Sequence, residues 1–114
     1  MKNLNMESRL LYKTTKLKES SIKWEIINGS EWISYFQNKK SNFNLIHNII
    51  EKHLITNEIY LVWERNNSGL IKYKHDKMLR CFLTVKNNFS LWNLDLTKTI
   101  EFNEIGIFKY GSIE

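Results

Sequence analysis

The sequence predicts an α+β fold: an antiparallel β-meander of about five to six strands, with two helices, about residues 30–38 and 42–54, packed on one face. Three observations carry this. Phe43, Ile46, Ile50 and Leu54 recur at three- and four-residue spacing, the signature of a helix with one apolar stripe. "EIYLVWER" (58–65) is a near-continuous apolar run, as expected for a central strand covered on both faces. Beyond it, short apolar runs alternate with turn residues such as "NNSG" (66–69) and Asn87-Asn88, the punctuation of hairpins. One domain, 1–114, accommodates all of them.

Taken in order, residues 7–18 are amphipathic without a clear period, so 1–18 is expected as an arm or an edge strand. "IKWEII" (22–27) sets Ile22, Trp24 and Ile26 against Lys23 and Glu25, the period-two pattern of a half-buried strand. Asn28-Gly29 signals a turn. Ser30 then stands as a helix N-cap with Glu31 in the first turn, and Trp32, Ile33 and Phe36 share a helical face. Ser41 or Asn42 caps the second helix. "LIKYKH" (70–75) returns from the hairpin with Ile71, Tyr73 and His75 on one side and Lys72 and Lys74 on the other. "CFLTVKN", "FSLWNL", "KTIEF" and "IGIFKYG" read as further short strands.

Composition limits the function. Four Trp, five Tyr and six Phe give a short chain a substantial core, because each ring buries roughly 150–250 Å². Ala and Pro are absent, while Ile, Lys and Asn occur fourteen times each. That skew fits an AT-rich bacterial, phage or plasmid gene, so part of the lysine excess reflects base composition. Cys81 is the only cysteine, which rules out an intrachain disulfide. Neither a signal-peptide pattern nor an apolar run of about 20 residues is present. A cytoplasmic protein without membrane contact is the expectation.

Chemistry finds little purchase in the residues. His47 and Glu51 share a helix face, but His53 falls six residues after His47 and points away, so no zinc pattern forms. No cofactor is expected. Cys81 groups with Leu83 and Val85 in a strand reading and is expected as an inert buried thiol. His75, Lys77 and Arg80 supply the residue types of a small ribonuclease and nothing more. An enzyme is not expected.

Binding has more support. The net charge of +5 is uneven: residues 1–24 carry six Lys/Arg against two Glu, and 65–86 carry six against Asp76. Lys72, Lys74, Lys77 and Arg80 form a basic row in the second of these segments. Solvated lysines on an edge strand also guard against aggregation, so the row has an ordinary explanation too. Trp24, Trp32 and Trp63 lie in apolar patterns and are expected in the core. Trp92 shares a strand face with Ser90 and Leu94; exposed beside the basic row, it would anchor a protein interface.

The stretch "EIYLVWERNN…CFLTVKNNFSLWNLDLTKTIEFNEIGIFKYG" resembles small immunity proteins of bacterial polymorphic-toxin and contact-dependent inhibition systems, in its helix-then-sheet order, its "LWNLD" and its closing "EFNEIGIFKYG". The resemblance implies a stoichiometric inhibitor whose partner is a cognate toxin domain. Inhibitors of nuclease toxins are often acidic, and this chain is basic. Its partner therefore offers an acidic surface, or the tail acids Asp95, Glu101 and Glu104 make the contact. The alternative is a small basic RNA- or DNA-binding protein of phage or plasmid origin, with Tyr73, Trp92 and Tyr110 stacking bases.

Overall fold

A computed structural model describes residues 7–37, 40–72, 77–85 and 87–113. The fold is α+β, as expected, around one antiparallel sheet. Its strands are β1 (Lys23–Trp24), β2 (Ile33–Ser34), β5 (Glu58–Val62), β6 (Gly69–Lys72), β7 (Phe89–Trp92), β8 (Lys98–Asn103) and β9 (Ile107–Ser112). Across the sheet the order is β1-β9-β8-β7-β5-β6, and β2 joins the same edge of β9 as β1. A separate hairpin pairs β3 (Phe36–Gln37) with β4 (Lys40–Ser41). The helices are α1 (Ser8–Lys18), α2 (Phe43–Ile49) and α3 (Lys77–Val85).

The second predicted helix is present. The Asn42 carboxamide oxygen caps α2 by accepting the Leu45 N–H at 3.1 Å. A π-helical turn, Ile50–Leu54, carries the helix on until Ile55 turns left-handed at φ 60°. The predicted helix over 30–38 is not. Asn28 and Gly29 do make the expected tight turn, with φ of 52° and 81°, and Ile27 bridges Ser30. The Ser30 hydroxyl accepts the Trp32 N–H at 3.1 Å, like a cap. The chain then extends along β9, because that strand offers an unpaired row of backbone groups. Ile33 and Ser34 pair with Phe108 and Ile107, and the Tyr35 N–H donates to the Gly106 carbonyl at 3.0 Å.

The segment read as the strand "CFLTVKN" is largely α3. Topology supplies the reason. β6 and β7 both run antiparallel to β5 and flank it, so they are parallel to each other. Parallel strands need a crossover, usually helical. Leu79, Phe82 and Leu83 line the inward face of that crossover at helical spacing.

Helices cover both faces of the sheet, which corrects the expectation of one covered face. Ile59, Leu61, Leu91, Ile100, Phe102 and Phe108 pack against α2, the π turn and α3. Tyr60, Val62 and Trp92 project the other way and pack with Leu11 of α1. The segment expected as an arm or edge strand is thus a docked helix. Leu11 and Thr15, one turn apart, are its two buried positions. The Ser8 hydroxyl ties its start to the β5–β6 loop, donating to the Arg65 carbonyl at 2.9 Å and accepting the Ser68 N–H at 2.8 Å. Among the described residues, no helix is long and apolar enough to cross a membrane.

Candidate binding site around the first helix

Of the residues expected to bind a partner, Trp92 is buried and does not share a surface with the exposed Lys72, Lys77 and Arg80. Lys72 is exposed on β6, an outer strand of the sheet among the described residues. Lys77 and Arg80 are exposed on α3, and the Arg80 guanidinium lies 5.0 Å from the Phe43 ring centroid. Lys74, with Tyr73 and His75, falls outside the described residues. The strand alternation that aligned the basic row therefore gives way to a helix at residue 77. Trp92 is only 2% exposed, and its indole N–H donates to the Ser90 hydroxyl at 3.1 Å. It is core under α1, where an exposed anchor was expected. Cys81 also departs from expectation: it is exposed on α3, since the helix turns it away from Phe82 and Leu83.

Among the described residues no cluster of three or more His, Cys, Asp or Glu could hold a metal ion. His53 serves the fold instead. Its Nε2–H donates to the Gly111 carbonyl at 2.8 Å, and its ring meets Tyr110 edge-on at 5.0 Å between centroids. Burial holds its pKa below the usual histidine value, against the opposing pull of the Gly111 hydrogen bond.

The fold gathers charge around α1. Arg65 from the β5–β6 loop joins Arg9 and Lys13 beside an open groove of about 510 Å³, with Leu10 and Tyr12 among its walls. The Arg9 guanidinium reaches the Asn66 carboxamide oxygen at 3.1 Å, which fixes helix against loop. Two basic segments far apart in sequence thus meet. On the outer face of α1, Leu10 is 52% exposed and Leu17 is 72% exposed. Seven residues apart, they fall on one stripe with Lys13 between them.

On its other side α1 walls a cleft of about 410 Å³, with Lys16 and Glu19 facing Trp63, Asn88, Ser90 and Glu101. Lys16 is 3.2 Å from Glu19. The Lys109 ammonium sits between two indoles, 4.1 Å from the Trp24 centroid and 4.7 Å from that of Trp32. It is 3.7 Å from Glu31 and 4.0 Å from Glu101. Burial pushes the Glu101 pKa up, and Lys109 opposes that rise without cancelling it. Trp24 and Trp32, expected in the core, are half-buried walls of this cation site.

Of the residues around this cation site, only Glu101 was expected from sequence to make a partner contact, as a tail acid. Its pairing with Lys109 follows from the β8–β9 register, Glu101↔Lys109. Counting back from the Asn103–Ile107 turn would have revealed it. Nothing local marks Leu10 and Leu17 as exposed, because a buried and an exposed leucine look alike until the helix is docked. No family model, curated protein or solved structure matches the chain.

Proposed function

We propose that the chain is a cytoplasmic protein-binding module with no chemistry of its own, and specifically an immunity protein that binds and neutralises a cognate bacterial toxin domain. One observation carries this reading: α1 exposes Leu10 and Leu17 in a single stripe, and Leu10 borders a groove with Arg9, Lys13 and Arg65. A helix with apolar residues at i and i+7 is a common anchor in a protein groove. Cations around it select an acidic partner and raise the association rate. A phosphate backbone would draw on the same cations but gain nothing from two solvated leucines. The leucines therefore favour protein over nucleic acid.

The test is co-purification and titration against the toxin domain encoded by the neighbouring gene. A stoichiometric complex is expected, weakened about 30-fold or more by Leu10→Asp combined with Leu17→Asp, the loss typical of interface anchors. Such exposed substitutions shift stability by only about 0.5 kcal/mol each, so the double variant should still fold, with its Tm lowered by no more than about 4–8 °C. The reading fails if no complex forms. Tight binding to random RNA or DNA that weakens steeply with salt would put the nucleic-acid reading in its place.

A further inference from the structure

We propose that the cleft between α1 and strands β7 and β8 receives an arginine side chain of the protein partner, with Glu101 as the carboxylate that pairs it. This rests on the protein-binding reading and names the chemistry that one part of the interface recognises. The cleft holds about 410 Å³ and opens beside the basic face of α1, so an extended side chain can enter where the helix is already covered.

Its charges are unevenly matched. Lys16 is committed to Glu19 at 3.2 Å. Lys109 is shared among Glu31, Glu101 and two indole rings, and its distance to Glu101 is the longer of its two ion-pair distances. The Lys109 ammonium stands 4.0 Å from Glu101 Oε2, beyond hydrogen-bond reach. Glu101 is nonetheless only about one-third exposed, with 36% of its side-chain surface open to solvent. A half-buried carboxylate with a fraction of a counter-ion attracts a further cation.

The remaining walls favour a planar cation over a compact one. The Tyr12 ring, which the Lys16 ammonium overlies at 5.3 Å, offers aromatic surface, on which guanidinium stacks while its fork of N–H groups meets a carboxylate. The Ser90 hydroxyl accepts the Trp92 indole N–H and keeps a second lone pair. An anion would meet Glu19 and Glu101. A neutral ligand would add nothing to the partial pairing of Glu101 with Lys109. The epitope implied is an arginine flanked by acids: the arginine enters the cleft while the acids meet Arg9, Lys13 and Arg65.

Two measurements on the full chain test this. The first titrates N-acetyl-arginine amide, and separately N-acetyl-lysine amide, while following the Glu101 side-chain carbonyl and the Ser90 and Asn103 amides by NMR. Saturable binding of the arginine probe in the millimolar range is expected. Glu101→Gln should weaken it at least about tenfold, and the lysine probe should bind more weakly. Equal response to both probes, or an unchanged response in Glu101→Gln, overturns the proposal. The second measures affinity of the same variant for the toxin domain, where a loss of about tenfold or more is expected. If the complex forms and Glu101→Gln leaves its affinity intact, the arginine site falls while the immunity reading stands. If the arginine probe binds at Glu101 but no toxin complex forms, the immunity reading falls and the partner assigned to the cleft falls with it.

Discussion

Tyr35 is fully buried, and its hydroxyl has no hydrogen-bond partner among the described residues. Its ring is held edge-on to Phe102, with centroids 5.6 Å apart, and tilted against Phe108 at 6.1 Å. The ring contributes to packing, while the oxygen gives up water and gains nothing. An unsatisfied buried hydroxyl costs about 1–3 kcal/mol. Tyr35→Phe keeps the ring and removes the orphan, so it should stabilise the fold by about 1 kcal/mol, read as a higher urea midpoint. A lower midpoint would mean that the hydroxyl has a partner after all. Burial also pushes the Tyr35 pKa up to about 12. Above pH 10 the unfolded chain loses this proton first, so stability falls as pH rises towards 12, and the phenylalanine variant should lose that component of the fall. Lys109 is the opposite case, a nearly buried charge with every neighbour in its favour. Lys109→Met keeps most of the stem and removes the ammonium. It should cost about 1 kcal/mol from the two indole contacts, with a change in tryptophan fluorescence reporting the emptied space.

Among the elements, β1 and β2 show how a sheet edge decides local structure. They are two residues each, too short to persist alone, and they lie end to end along β9. Between them the Glu25 N–H donates to the Tyr110 carbonyl at 2.9 Å. Gly111 permits the close approach: a Cβ there would stand 2.5 Å from the Lys23 carbonyl oxygen and 2.9 Å from the Trp24 Cα. Both are backbone atoms and cannot swing aside. Gly111→Ala should therefore cost about 1–3 kcal/mol, as overpacking does, and selectively speed hydrogen exchange at the Glu25 amide. Unchanged exchange at Glu25 would show that β1 is not held by this contact. Legibility of the fold follows the same division between local and remote causes. α2 was readable because Phe43, Ile46, Ile50 and Leu54 carry the helical period and Asn42 the cap. β5 was readable because both of its faces are apolar. Residues 30–38 were not, since Trp32, Ile33 and Phe36 fit a helical period while the vacant edge of β9 lies over 70 residues away in the chain. In α3 the alternation of Cys81, Leu83 and Val85 competed with the helical set Leu79, Phe82 and Leu83, and the need for a crossover decided. Of the candidate site, the charge of 1–24 and 65–86 was legible. Its assembly around Arg9 and Arg65 depends on docking α1, which two buried side chains barely announce.

At the scale of the molecule, the sheet separates two cores, and that separation makes its response to pH divisible. His53 packs on the α2 face, where its electrostatic neighbours are the Gly111 carbonyl, Lys98 and Glu25. Glu101 lies on the α1 face with Lys109, Glu19 and Lys16. The two groups share no partner, and independent sites add. Their signs oppose. Because the His53 folded pKa lies below 6.5, the unfolded chain binds the proton more tightly. Stability is therefore lost as pH falls from about 6.5 through the folded value. Because the Glu101 folded pKa lies above 4.5, the folded chain holds that proton more tightly. Stability is then gained as pH falls through the raised value towards 4.5. His53→Gln should flatten the acid-side loss, provided the amide keeps the bond to Gly111. Glu101→Gln should raise stability at neutral pH and remove the acid-side gain. Urea unfolding from pH 4 to 8 of both variants and their combination checks the scheme. If the double variant departs from the sum of the singles by more than about 0.5 kcal/mol, the two faces of the sheet are coupled. A partner's arginine entering the α1 cleft would then be felt at His53 as well.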